Sequence, residues 1–470
     1  MKEGVEDSRV DALAFPLLAQ GHIIPFMELC QLLSSKNLRV VLLTSPLNAK
    51  RLRTTNTASS TGVQVMDIAV PRMPGLPEGA ESTDHLPPPL SKLLLGAMEQ
   101  MDSSLRQLLA RLRPSCIIAD FSPLCLAAIA EELEIPLLYY ATMGAYSLSI
   151  VHSLINILPL PAADDDDPLF VLPGLPKPVT LRDSDLLPPY RGAGKTEFPH
   201  GFLSTVFDRL RHCSGLVINT FNEMEAEFVD HIQETFGIPV WTICPPICPP
   251  RSPNPNPSGY DGVISWLDSR NAGSVLYVNF GSEIALSAEQ TKELAAGLEA
   301  SGHYYLWAVK KPVDVREEDD LFLPPGFRER TAGRGLVMAG WAPQKAILRH
   351  PSTGGFLSHC GWNSVLESLS EGVPILAWPF QHDQPFVKKL LVEELQVAEE
   401  SGNNGMYVVK SGEVERAVRV IMEGETSAEM RRRACELKAD ARRAVSEGGS
   451  SFTSLEKLSV FVRNLLNVQS

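Results

Sequence analysis

Short apolar runs alternate with helical patterns along the chain, and that alternation starts twice. Val10–Phe15, Val40–Thr44, Gln64–Val70, Cys116–Asp120, Leu137–Tyr140 and Gly215–Asn219 read as strands. Helix candidates such as Pro25–Ser35 and Pro123–Leu133 lie between them. Strands that are apolar throughout, not only at every second residue, must be covered on both faces. A β-α-β rhythm with such strands gives a parallel sheet with helices on each side. The rhythm restarts with predicted strands at Ser274–Phe280, Tyr305–Val309, Gly335–Ala339, Gly355–Ser358, Pro374–Trp378 and Tyr407–Val409. Helices are expected over Ala288–Ser301 and Ser364–Gly372.

Between the two series runs Cys244-Pro-Pro-Ile-Cys-Pro-Pro-Arg-Ser-Pro-Asn-Pro-Asn-Pro-Ser-Gly259. So many prolines cannot continue a helix or a central strand, so the run reads as a stiff linker. A chain of 470 residues also exceeds one ordinary core. The expected class is therefore α/β with two doubly wound, Rossmann-like domains. The boundaries predicted are 1–245, a linker over 246–260, a second domain over 261–450, and a terminal helix over 451–470 packing back on the first domain. Leu455, Leu458, Phe461, Val462, Leu465 and Leu466 share one face of that helix.

Composition removes several functional classes. A net charge of −14 repels phosphate backbones, so nucleic acid is not an expected partner. Of the eight cysteines only Cys244 and Cys248 lie close together, with no second pair to complete a metal site, so reduced thiols are expected. The acidic runs Asp164–Asp167 and Glu317–Asp320 read as solvated loops, and no metal is expected. The polar stretch Met1–Arg9 is not a secretory signal, and Ile135–Pro161 carries enough Ser, Thr, His and Asn to read as a buried strand and helix. A cytoplasmic monomer without membrane insertion is expected.

Ligands of open parallel sheets bind beyond the carboxyl ends of the strands. His22 follows the first strand, just ahead of Pro25 as a first-turn residue, so the positive helix end should keep its imidazole neutral. Gly21 would let the backbone bend there. Asp120 ends the fourth strand. A carboxylate on one imidazole nitrogen fixes the tautomer and supports proton uptake at the other, so His22 and Asp120 form a candidate general-base dyad. No Gly-x-Ser-x-Gly completes a hydrolase triad, and the base is expected to act on a substrate hydroxyl.

The second half supplies anion and polyol sites. Phe280-Gly281-Ser282 ends a strand. Ser358-His359-Cys360-Gly361-Trp362-Asn363-Ser364 follows a strand and opens a helix, a natural phosphate cradle. Trp341 can stack on a planar base, Glu367 suits a ribose hydroxyl pair, and Asp383 and Gln384 suit sugar hydroxyls. Neither a Gly-x-x-x-x-Gly-Lys-Ser/Thr nor an early Gly-x-Gly-x-x-Gly is present, which counts against ATP-type and dinucleotide sites and hence against an oxidoreductase. Together these features fit a nucleotide sugar.

The span from Trp341-Ala-Pro-Gln344 to Asp383-Gln384, 44 residues, strongly resembles the donor-binding box of plant UDP-dependent glycosyltransferases of secondary metabolism. The likeness includes His359-Cys-Gly-Trp-Asn-Ser364, Glu367 and Gly372-Val-Pro374. It extends to Gly21-His22, Pro74-Gly-Leu-Pro-Glu-Gly79, Asp120 and Tyr277-Val-Asn-Phe-Gly-Ser282. The resemblance implies a GT-B fold, two Rossmann-like domains facing across a cleft, and metal-independent, inverting transfer from a UDP-sugar to a small lipophilic acceptor. By it, His22 is the base and Asp120 its support. Trp341, Ala342 and Gln344 flank uracil, and Glu367 holds the ribose. Ser282, His359, Gly361, Asn363 and Ser364 hold the diphosphate, and Trp362, Asp383, Gln384 and Thr142 hold the sugar. Gln384 and Trp362 point to glucose. The departure from the pattern is His382, where a small or acidic residue is usual. The acceptor pocket is expected from the loop after His22, Leu86–Leu95, Phe121 and Met143–Leu158, with a flavonoid, phenylpropanoid, terpenoid or hormone-like alcohol as its ligand. The competing reading is a catalytically silent UDP-sugar sensor or scaffold.

Overall fold

A computed structural model of the chain describes residues 10–54, 62–86, 88–158, 169–186, 200–244, 259–310, 323–402 and 407–468. Most of the proline-rich linker, both acidic runs and Cys248 lie outside these residues. The strands, in chain order, are β1 (Ala12–Phe15), β2 (Val40–Thr44), β3 (Gln64–Asp67), β4 (Cys116–Ala119), β5 (Leu137–Ala141), β6 (Leu169–Leu172), β7 (Val179–Arg182), β8 (Gly215–Ile218), β9 (Val240–Thr242), β10 (Val275–Asn279), β11 (Tyr304–Val309), β12 (Gly335–Ala339), β13 (Thr353–Ser358), β14 (Ile375–Ala377) and β15 (Ala398–Glu400).

The chain divides into two units. The first comprises Met1–Leu158, Ala193–Pro246 and Arg443–Ser470; the second comprises Pro159–Gly192 and Ile247–Arg442. In the first, seven parallel strands run in the order β3-β2-β1-β4-β5-β8-β9. The order reverses direction between β1 and β4, which is where a doubly wound sheet opens a crevice. Every residue of β1, β2, β4, β5 and β8 is buried, as all-apolar strands require. The helix Ser450–Val468 seats Leu455, Leu458 and Val462 in this unit's core beside Trp241 and Ile243.

In the second unit, six parallel strands run β12-β11-β10-β13-β14-β15, with the reversal between β10 and β13. Alternate residues of β10 serve opposite faces: Leu276 and Val278 join one core cluster, Val275 and Tyr277 the other.

Three readings of the sequence need correction. Residues 169–186 group with the second unit although they precede the linker. Their antiparallel hairpin β6–β7 belongs there, and Lys177 pairs with Glu394 (2.5 Å) and Asp185 with Lys388 (3.6 Å). Tyr407–Val409 is not a strand; the edge is β15. The backbone N–H and C=O of Val409 are both satisfied by the side-chain amide of Gln290, which takes the place of a neighbouring strand. The helix after β1 begins at Gln20, not at Pro25. The Ala19 carbonyl accepts from the N–H groups of His22 and Ile23, so the first turn closes before the proline is reached.

Among the described residues no group of three or more His, Cys, Asp or Glu side chains is placed to hold a metal. No described helix is long and apolar enough to cross a membrane, and the seven described cysteines are free thiols.

Candidate functional site

In the first unit β1 and β4 are neighbours in register, Phe15 opposite Ala119, so the segments leaving them start side by side. The Asp120 N–H bonds the Phe15 carbonyl, which fixes the root of the carboxylate. One carboxylate oxygen accepts from the N–H of Phe121 (2.8 Å); the other accepts from the N–H of Leu17 (3.3 Å) and lies 2.6 Å from His22 Nδ1. An ionised carboxylate only accepts, so Nδ1 carries the proton and Nε2 is the basic nitrogen. Asp120 is 5% exposed and His22 29%, so the carboxylate is shielded while the imidazole reaches solvent. Thr142, directly after β5, places Oγ1 3.0 Å from the same Nδ1, where it accepts a share of that hydrogen.

His22 stands within the first turn of Gln20–Ser35 rather than ahead of it. Gly21 is helical there, and a Cβ on it would meet nothing within 4 Å, so no backbone bend explains the glycine.

In the second unit the expected diphosphate residues converge at the reversal between β10 and β13. Asn279 lies opposite Ser358, which brings the two following turns together. Gly281 takes φ 76°, and a Cβ on it would lie 2.7 Å from the His359 ring. A Cβ on Gly361 would come within 2.4 Å of His359 Nε2. The imidazole is thus wedged between two glycines, and neither position admits a side chain. Burial pushes its pKa down to about 4, with Glu283 opposing and His382 reinforcing the shift, so the ring is neutral near pH 7. Its buried Nδ1 has no hydrogen-bond partner among the described residues. Gly361 is also the N-cap of the helix Trp362–Ser370 and offers no capping side chain to the positive helix end. The Ser282 side takes a cation, since Lys310 Nζ bonds the Ser282 carbonyl.

Gln344 proves to be the hub of this region. Its Nε2 donates to Ser364 Oγ (3.0 Å) and to Glu367 (2.9 Å), and its Oε1 accepts from Asn279 (2.9 Å) and Tyr277 (3.4 Å). Asn279 Oδ1 in turn accepts the Gly281 N–H. One amide therefore ties the turn after β10 to the helix after β13. Ser364 and Glu367 are oriented by it. Ala342 is buried beneath, whereas the Trp341 indole is 67% exposed and presents a face to solvent.

After β14, Gln384 is 4% exposed and accepts the N–H groups of Phe380 and Gln381 at 2.9 and 3.0 Å. That fixes its amide with Oε1 toward the loop, so Nε2 is directed away from it. Asp383 occupies the N-cap of Gln384–Lys389 without a side-chain cap bond. His382 adopts φ 59° and approaches Glu283, 3.4 Å away. Sequence reasoning assigned no role to Tyr277, Asn279, Glu283 or Gln381. Tyr277 and Asn279 stand inside a quoted motif, but strand alternation alone does not mark them as polar links.

A family model described as UDP-glucoronosyl and UDP-glucosyl transferase matches residues 250–440. The chain is 35% identical to UDP-glucosyl transferase 73M2 of Saponaria officinalis, across 97% of each chain. It is 34% identical to scopoletin glucosyltransferase of Nicotiana tabacum, across 94% of this chain and 96% of that one. Its fold is similar to the crystal structure of Glycyrrhiza uralensis UGT73P12 complexed with glycyrrhetinic acid 3-O-monoglucuronide. There the TM-score is 0.87, with 28% identity over 98% of this chain and 97% of the other.

Proposed function

The chain belongs to the plant UDP-glycosyltransferases, and from that premise we propose that it transfers glucose from UDP-glucose to a hydroxyl of a small lipophilic acceptor, inverting the anomeric carbon. The observation that carries this reading is the 2.6 Å contact between His22 Nδ1 and Asp120. His22 Nε2 removes the acceptor's hydroxyl proton as that oxygen attacks C1 of the sugar. The bond from C1 to the diphosphate breaks, its electron pair leaves with UDP, and the imidazolium formed is stabilised by Asp120. One displacement converts an α-linked donor into a β-glucoside.

The second unit holds the donor. Trp341 stacks on uracil with Ala342 beside it, and Glu367 accepts from the ribose hydroxyls. Ser282, His359, Gly361, Asn363, Ser364 and the helix N-terminus at 362 meet the diphosphate. Trp362, Asp383 and Gln384 meet the sugar. The charge that develops on departing UDP faces fixed dipoles rather than water. No metal takes part in the step. Glucose as the sugar is supported by the names of the two glucosyltransferase relatives. A small hydroxyl compound as acceptor is supported by scopoletin in one name and by the glycyrrhetinic acid 3-O-monoglucuronide in the solved complex.

His22→Ala tests the role of the base. General-base help is worth roughly 10²–10⁴-fold, so turnover falls by that factor while calorimetric UDP affinity stays within about threefold. Undiminished turnover removes His22 from the mechanism. A parent protein that binds UDP-glucose and releases no UDP with any acceptor is a sensor.

A further inference from the structure

His382 departs from the family pattern, and the structure supplies its partner. Glu283, the residue after Ser282, places Oε2 3.2 Å from Gln381 Nε2 and 3.4 Å from His382 Nε2. The carboxylate leaves the turn after β10 and ends on the two residues that precede Asp383 and Gln384. It thus lies beside the proposed sugar subsite. It is 30% exposed, so water screens it only in part.

Gln381 and His382 are the kind of donors that would bind a sugar bearing a carboxylate at C6. In this chain their nitrogens already face a carboxylate that belongs to the protein. A uronic acid entering the subsite would meet Glu283 and Asp383, both acidic, and Gln381 and His382 already engaged. Lys310, the cation bonded to the neighbouring Ser282 carbonyl, is held on the backbone. A neutral hexose offers hydroxyl groups, which can donate to carboxylates, and suffers no such repulsion.

We propose that Glu283 makes the donor site select uncharged sugars, by occupying with its own carboxylate the donors of Gln381 and His382 that a uronate would otherwise take. The inference rests on the reading that Asp383 and Gln384 hold the sugar. It matters because the matching family description spans both glucuronosyl and glucosyl transfer.

The experiment compares UDP-glucose with UDP-glucuronate on the parent, Glu283→Gln and Glu283→Ala. Both kcat/KM and calorimetric Kd are measured, and the ratio between donors is the readout. Any general gain in UDP affinity from losing a negative charge cancels in that ratio. The expected result is a parent preference for UDP-glucose that shrinks at least about tenfold in both variants, as like-charge repulsion is removed and two donors become available. His382→Ala in the Glu283→Gln background should restore part of the preference. A ratio within threefold of the parent's in both variants, or a parent that prefers UDP-glucuronate, overturns the proposal. If the parent turns over neither donor, the transferase reading fails, and the Kd ratio still judges Glu283. If it binds neither, both readings fall.

Discussion

Replacing Asp120 by Asn keeps shape and removes charge. The Asp120 carboxylate has three hydrogen-bond neighbours: the N–H groups of Leu17 and Phe121, and His22 Nδ1. Asn has one carbonyl oxygen. If that oxygen keeps the 2.8 Å bond from Phe121, the amide NH₂ turns toward Nδ1. Nδ1 must then accept, the ring proton moves to Nε2, and the nitrogen that should receive the acceptor's proton can no longer do so. The electrostatic loss adds to this. At the 2.6 Å separation, a carboxylate and an imidazolium attract by about 6 kcal/mol at an effective dielectric of 20, and by under about 2 kcal/mol in bulk water. Asp120 is buried and His22 partly exposed, so the true value lies between these limits. At about 1.4 kcal/mol per decade, kcat should fall by roughly 10²–10⁴-fold. The assay is initial-rate UDP release at saturating donor and acceptor, paired with calorimetric UDP titration. UDP affinity should not change. A fall in kcat of less than threefold, or equal losses in kcat and UDP affinity, would refute the dyad.

Other perturbations separate the parts of the donor site. Trp341→Ala should weaken UDP binding by about 10–100-fold, the worth of one base stack, and leave the thermal midpoint alone because the indole is 67% exposed; unchanged affinity contradicts the stacking role. Gly361→Ala must displace the His359 ring, and Kd for UDP should rise about tenfold, since a charge-assisted contact is worth about 1.5–3 kcal/mol; an unaffected Kd contradicts the cradle. His152 and His359 are both depressed by burial to about 4 from 6.5. The unfolded chain therefore binds protons that the native chain refuses. Their contribution is complete above pH 6.5 and is lost as pH falls toward 4, on the order of 3 kcal/mol for the fully buried His359 and less for His152, which water partly screens. Urea midpoints at pH 7.5 and 4.5 measure it, and His152→Asn should flatten the difference; a midpoint that rises on acidification reverses the sign.

Much of this site is legible in the sequence because it hangs on strand ends. Four apolar residues and then Asp120 locate a carboxylate at a sheet's carboxyl edge. Ser358 to Ser364, a strand end that opens a helix, marks a phosphate cradle in the same way. The missed elements carry weaker signals. β15, Ala-Glu-Glu, is a polar edge strand of three residues and has no apolar run to betray it. Pro25 reads as a helix start, although the helix begins five residues earlier on the Ala19 carbonyl. The sequence places Gln344 beside uracil, and only tertiary packing reveals it as the link among Tyr277, Asn279, Ser364 and Glu367. Glu283 and His382 are 99 positions apart in the chain, and no local pattern pairs them.

The central claim is a single displacement driven by His22. Its most direct measurement is the anomeric configuration of the product, read by NMR, together with the molar ratio of UDP released to glycoside formed from UDP-glucose and an acceptor panel. The account predicts a β-glucoside and UDP in equal amounts, both lost in His22→Ala. An α-glucoside, or UDP released without glycoside, contradicts it.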